Sequence, residues 1–461
     1  MKKVNTFQRA LRASIRWENK HRLIPHFVVF CILSFLAAKL IFRSNSSNAL
    51  LFGYGIAVTT MLFITFIVSF TLYKDPSRLA QKKKKTGEIN PFVSFIVAVH
   101  NEEDIITQCV ESLTSQTYTN REVIIIDDAS TDNTPAILKK LQKIHTIKVI
   151  YLTDNVGKKK ALGAGVAAAK GTIFAFTDSD STWAPDAITN IVPIFETFPE
   201  VGAVSGHTRA LNGDKNILTK AQDSWYEGQY SIRKAYESVF GSVTCVSGPL
   251  AVFRKEAIYN YMPAWEKDQF LGQEFKFATD RTLTGIVLGS KYIGSKLRAK
   301  YTDPTFASPD YKNQEWKIVY CKSAKAWTEV PDTFTRVIKQ QVRWKKSFIR
   351  NIFFTGAFFW RRPFAVSMNY YLHIAFVLLG PFIAFRHLVY LPLQGNFYSM
   401  FLYLAGICFI GFMFGLAFKL ENPESDRWVY RPIMSLLSTL VLSWLIFYSA
   451  STIKKMTWSR T

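Results

Sequence analysis

Val123-Ile-Ile-Ile-Asp127-Asp128-Ala-Ser130-Thr-Asp132 reads as a buried strand that empties into an acidic loop. Consecutive β-branched residues suit a strand covered on both faces, and the change to Asp, Ala and Ser marks its end. Phe174-Ala-Phe-Thr177-Asp178-Ser179-Asp180 repeats the pattern further along. Outward from these, Phe92–Val99, Glu122–Ile126, Lys148–Leu152 and Thr172–Thr177 are β-branched or aromatic runs. Between them, Glu102–Gln116 and Thr134–His145 carry helix-like spacing. The alternation predicts a mostly parallel α/β sheet with helices on both faces. In such sheets ligands bind beyond the carboxyl ends of the strands, where both acidic loops fall.

The domain built on these runs extends from Phe92 to about Arg350, and the chain is apolar on either side of it. Phe27–Phe42 and Ala49–Tyr73 precede it. Phe364–Leu393 (interrupted by Gly380-Pro381), Asn396–Phe418 and Ile433–Ser451 follow. Ala49–Tyr73 holds no charge and is long enough to cross about 30 Å of hydrocarbon as a helix. The long leader and the second apolar segment argue against a cleaved signal peptide. Thr335–Arg362 is too charged to span and reads as an interfacial amphipathic helix on the inner leaflet. The expected units are therefore a leader with two spans (1–73), a basic linker (74–91), an α/β domain (92–333), interfacial helices (334–363) and C-terminal spans with a basic tail (364–461).

Of 461 residues 49% are hydrophobic, which excludes a disordered chain. Five scattered cysteines exclude a disulfide scaffold and fit a reducing compartment with no zinc site. The net charge of +23 is concentrated beside the apolar segments: residues 1–26 carry +6, 74–91 carry +4, 336–362 carry +8 and the tail after Ile453 carries +3. Charge so placed fits anionic membrane lipid and not nucleic acid, because Lys82–Lys85 has no interleaved aromatics. The positive-inside rule puts the N-terminus and the α/β domain in the cytosol, and the expected location is the plasma membrane. Three C-terminal spans would leave Lys454, Lys455 and Arg460 outside. Either the last segment dips in and returns, or Gly380-Pro381 divides one long segment in two.

Several motifs bear chemistry. Carboxylates at Asp127, Asp128 and Asp132 can accept hydrogen bonds from a nucleoside, or Asp132 or Ser130 can cap the helix that follows. Asp178 and Asp180, two residues apart at a strand end, suit Mg²⁺ or Mn²⁺ bridging a diphosphate. Gly157-Lys158-Lys159-Lys160 ahead of a small-residue helix suits a phosphate, or is a solvated basic turn. Val246–Leu250 is a close-approach turn, structural or functional. Asp280 can take a proton from an attacking hydroxyl, or pair with Arg281. Arg343 can stabilise diphosphate charge and Trp344 can stack on a sugar, or both belong to a membrane interface.

In order along the chain, Val97-Ala-Val-His-Asn101-Glu102-Glu103, Asp127-Asp128-Ala-Ser130-Thr-Asp132, Asp178-Ser179-Asp180, Thr279-Asp280 and Gln340-x-x-Arg343-Trp344 resemble the signature set of inverting family 2 nucleotide-sugar glycosyltransferases, in their processive, membrane-embedded branch. Cys245-Val-Ser247-Gly248-Pro249-Leu250, Thr279–Thr284, Thr328–Thr333, Gln340–Phe348 and the tail Thr452–Arg460 look most like hyaluronan synthases. The resemblance covers about Phe92 to Phe354. It implies a GT-A (Rossmann-like) glycosyltransferase domain beside a helical transmembrane bundle, with UDP-sugar donors, a growing polysaccharide and Mg²⁺ or Mn²⁺. Carried over by position, Ala98, Glu102 and Asp128 would line the uridine and Lys158 the phosphates. Asp178 and Asp180 would hold the metal and ribose. Cys245, Ser247 and Gly248 would border the sugars, and Asp280 would be the catalytic base. Gln340 and Arg343 would face the diphosphate, with Trp344 marking the acceptor entrance. Two departures stand out: Ala278-Thr279 replaces the Gly-Asp usual before the base, and Arg298–Ile318 looks like an insertion.

Overall fold

The structure, a computed structural model, describes Leu33, residues 49–83 and residues 90–455. The basic leader, nearly all of the expected span Phe27–Phe42, Lys84, Lys85 and the last residues of the tail lie outside the described residues.

The α/β domain is organised on an eight-stranded sheet. Its strands are β1 (Val93–Val99), β2 (Arg121–Asp127), β3 (Lys148–Tyr151), β4 (Ile173–Asp178), β5 (Ser181–Trp183), β6 (Val201–Ala210), β7 (Ala251–Arg254) and β10 (Lys317–Thr328), in the order β3-β2-β1-β4-β7-β6-β10-β5. A separate hairpin joins β8 (Gln269–Phe270) to β9 (Gln273–Glu274). Successive strand side chains point to opposite faces, and here both faces are covered. Ile96, Ala98, Ile124, Ile126 and Phe174 enter one core, while Phe95, Val97, Val123, Ile125 and Ala175 enter the other. That is why β1 is buried at every residue.

The first four strands and the two intervening helices, Ile106–Thr114 and Thr134–Ile144, fall where the hydrophobic pattern predicts them. The sheet as a whole is mixed. β3-β2-β1-β4 is parallel, but β7 runs antiparallel to both β4 and β6, and β5 runs antiparallel to β10. The cause is where the chain turns. The turn Ser247–Leu250 lies against the carboxyl end of β4, so the strand leaving it must run back the other way.

Among the described residues three helices are long and apolar enough to cross a membrane, within Phe52–Lys83, Phe364–Leu393 and Phe397–Leu420. Pro381 lies inside the helix Phe364–Phe385 and does not divide it. The break falls later: Arg427–Leu440 and Leu442–Ser451 together pass as a span but are bent by 40°. The chain therefore bends in its last segment, as a broken span or a re-entrant loop, and not at Gly380-Pro381.

The helix Phe334–Phe354 begins at Thr333, whose side chain accepts from the Arg336 N–H. Its strongly segregated faces fit the expected amphipathic helix, yet part of its charge turns inward. Arg350 pairs with Asp268, Lys346 donates to the Lys455 carbonyl at 2.7 Å, and Arg362 beyond it donates to the Gly241 carbonyl at 2.8 Å. All three are buried. The basic collar, expected to lie mostly on lipid, thus gives several cations to the protein interior, where carboxylate and carbonyl partners compensate the loss of water.

Candidate active site

Strand register brings the acidic loops together. Ala98 pairs with Ile126 on one side and Asp178 on the other, and Val99 pairs with Asp127, so three strands end side by side. The loops beyond them are fastened to backbone. Asp128 is buried and accepts from the N–H groups of Val156 at 2.8 Å and Gly157 at 2.9 Å. Asp132 accepts from Thr134 at 2.9 Å and Glu103 at 3.2 Å, and Asp127 from Ser130 at 3.1 Å. Ser130 Oγ accepts in turn from the Asn101 N–H. The helix Thr134–Ile144 has Asn133 at its N-cap without a side-chain cap bond, so neither Asp132 nor Ser130 caps it; both instead tie the loop to neighbouring backbone.

Gly157 precedes the helix Lys158–Ala168 with φ 85° and ψ 155°, a region open in practice only to glycine. The three lysines after it separate. Lys158 pairs with Asp178, Lys159 turns inward to Asp268 at 2.9 Å, and Lys160 reaches Glu274 at the surface. Asp178 also abuts Gly248, where an added Cβ would lie 2.7 Å from its carboxylate. Asp180 accepts from the Ser181 and Thr328 hydroxyls at 3.2 Å each, and Ser179 donates to Glu102 at 3.3 Å. Behind this floor burial pushes the Cys109 thiol far up, and Asp180, Asp178 and Glu102 add to the effect.

The opposite wall comes from distant segments. Ala278 takes φ 61°, which glycine adopts freely, so the alanine keeps the left-handed turn that starts the helix Thr279–Lys300. Asp280 in its first turn accepts from Cys245 Sγ at 3.2 Å and the Arg281 N–H at 2.8 Å. Burial and then Asp280 push the Cys245 thiol up to about 12. Trp344 stacks on Trp225 with ring centroids 5.8 Å apart.

One cavity of about 1380 Å³ joins Ala98, Glu102, Asp128, Lys158, Asp178, Asp180, Cys245, Ser247, Gly248, Asp280, Gln340, Arg343 and Trp344. These residues thus meet, whereas Asp127, Ser130, Lys159 and Lys160 do not line the cavity, and neither does Arg298–Ile318, the apparent insertion. The sequence reading missed Trp225, Tyr226, Tyr230, Arg233, Lys234 and Glu237, which also line it. Their segment leaves α-helical geometry for a π-turn over Gln229–Lys234, a feature frequent at functional sites but without a sequence signature. The available signal was a basic pair, Arg233-Lys234, within an aromatic-rich helical run.

Among the described residues no group of three or more His, Cys, Asp or Glu forms a complete metal cage. Asp178 and Asp180 instead offer a partial set of hard oxygens, the kind that suits Mg²⁺ when substrate phosphates complete it.

The sequence pattern of glycosyl transferase family 2 matches residues 94–262. The fold is that of a mannosyltransferase from Pyrobaculum calidifontis solved with GDP-Man and Mn²⁺. The TM-score is 0.54 at 19% identity, covering 87% of this chain and 98% of that one. The chain is a glycosyltransferase that carries a family 2 domain over residues 94–262. Hyaluronan synthase of Streptococcus pyogenes is 26% identical to it over 425 residues, 89% of this chain and 92% of the relative. N-acetylglucosaminyltransferase of Rhizobium meliloti (strain 1021) is 32% identical over 268 residues, 57% of each chain.

Proposed function

We propose that this transferase is a processive, inverting polysaccharide synthase of the hyaluronan type, taking UDP-GlcNAc and UDP-GlcA. It would work from a cytosolic domain at the plasma membrane and pass its product outward. The observation that carries the reading is the single cavity holding Asp178, Asp280 and Trp344 on a chain flanked by apolar helices. Similarity to a hyaluronan synthase over nearly the whole chain supports it.

In this reading Ala98, Glu102 and Asp128 hold the uridine, and Lys158, Gln340 and Arg343 hold the diphosphate. Cys245, Ser247 and Gly248 border the sugar, and Trp344 stacks the acceptor. Asp178 and Asp180 would hold Mg²⁺ or Mn²⁺, which when bound neutralises charge on the departing UDP. Asp280 removes the proton from the acceptor hydroxyl as it attacks. A carboxylate is a weak base at rest, so the transfer is late, when the hydroxyl has become acidic. The Cys245 thiol and the Arg281 N–H hold both Asp280 oxygens for that task.

Full-length protein supplied with UDP-GlcNAc, UDP-GlcA and UDP-Glc singly and in pairs, with the product digested by hyaluronidase, chitinase or cellulase, tests the reading. Hyaluronidase-sensitive polymer formed only from the GlcNAc and GlcA pair is expected. The N-acetylglucosaminyltransferase relative favours one second reading, a homopolymer or oligomer of GlcNAc. Product from UDP-GlcNAc alone would establish that instead.

A further inference from the structure

Lys234 lines the cavity with only 7% of its surface exposed. Its Nζ donates to Ser205 Oγ at 2.8 Å and to Ser247 Oγ at 2.6 Å, and lies 4.1 Å from the centre of the Tyr230 ring. These partners are all neutral, and among the described residues no carboxylate lies within ion-pair reach of it. The two nearest acids are engaged elsewhere: Asp280 by Cys245 and Arg281, Glu237 by both Thr244 donors and Arg233. Burial draws the amine down to about 8, against the pull of Cys245, Asp280 and Glu237, so it still carries its charge at neutral pH. A desolvated cation kept without an anion is costly unless a ligand brings one.

Position says which part of the ligand that is. Ser247 adjoins Gly248, which backs Asp178, and stands two residues from Cys245, which reaches Asp280. Lys234 therefore acts between the proposed diphosphate end and the proposed base, where the transferred sugar must sit. In the reading above the diphosphate is met by Lys158 and Arg343, which leaves Lys234 to a different anion.

We propose that Lys234 is a specificity-determining residue whose ammonium supplies the counter-charge for the carboxylate of a uronic-acid donor sugar, with Ser205 and Ser247 fixing its place. The inference rests on the nucleotide-sugar reading above and sharpens it to one substrate class.

Full-length wild type and K234Q are compared for KM and kcat with UDP-GlcA and with UDP-GlcNAc, using an oligosaccharide acceptor. K234Q should raise KM for UDP-GlcA at least about tenfold more than it raises KM for UDP-GlcNAc, and K234R should recover most of the loss. Equal losses with both donors, no loss, or a loss confined to acceptors ending in glucuronic acid would overturn the proposal. Wild type alone gives a second readout should K234Q not fold. UDP-Glc, which lacks the carboxylate, should bind at least about tenfold more weakly than UDP-GlcA, and equal binding overturns the assignment. Sugar transfer by wild type that ignores UDP-GlcA sinks this inference and leaves the transferase reading standing. No transfer from any UDP-sugar sinks that reading itself.

Discussion

On the β1-β2-β4 side of the cavity the acidic side chains are fastened to nearby backbone: Asp128 to Val156 and Gly157, Asp132 to Glu103 and Thr134, Asp127 to Ser130. On the far side the fastenings run between segments distant in the chain. Cys245 holds Asp280, Lys234 ties Ser205 to Ser247, and Trp344 lies on Trp225. The near wall is a property of strand ends and their loops. The far wall exists only once the helices Thr279–Lys300 and Phe334–Phe354 have docked.

Substitutions on each wall, and one at the contact between them, test this contrast. Asp280→Asn keeps the shape of the far wall and removes the proposed base. Transfer should fall by about 10²–10⁴ while UDP affinity by calorimetry changes little; polymer at the normal rate would take Asp280 out of that role. Asp268→Ala strands the buried Lys159 and Arg350 charges and should cost about 3–5 kcal/mol of stability, read as a lowered denaturation midpoint. On the near wall, Asp128→Ala leaves two amides without their acceptor. A loss of about 1–3 kcal/mol is expected, with weaker UDP binding; undiminished UDP affinity would show that the loop holds its form without the carboxylate.

The smallest effect is one of pH. Burial pushes the Asp132 carboxyl up, but hydrogen bonds from Thr134 and Glu103 outweigh it and hold the group below the ordinary 3.8. Its contribution is therefore complete above pH 3.8 and is lost as pH falls through the lower folded-state value. Asp132→Asn should flatten that part of the acid-unfolding curve, and an unchanged slope would contradict the assignment.

The same contrast explains what could be read from sequence. β1 to β4 were legible as β-branched or aromatic runs, and the acidic ends of β2 and β4 because an apolar run followed by Asp-Asp or Asp-x-Asp is a local signal. β7 was not, because its direction depends on where the Ser247–Leu250 turn is placed by the rest of the sheet. Lys234 was hidden for a similar reason: its partners, Ser205 and Ser247, lie on other elements and no spacing announces them. The basic stretch around Arg350 was misread in part. Composition counts a cation equally whether it faces lipid or an interior aspartate such as Asp268.

Asp268 sits between Lys159, in the helix that opens with Lys158, and Arg350, in the helix that carries Gln340, Arg343 and Trp344. Either helix that peels away takes one cation from this shared carboxylate and leaves Asp268 to the other. The two ends of the cavity, remote in sequence, are thus joined through one interior anion, a route by which the local opening of one can be felt at the other.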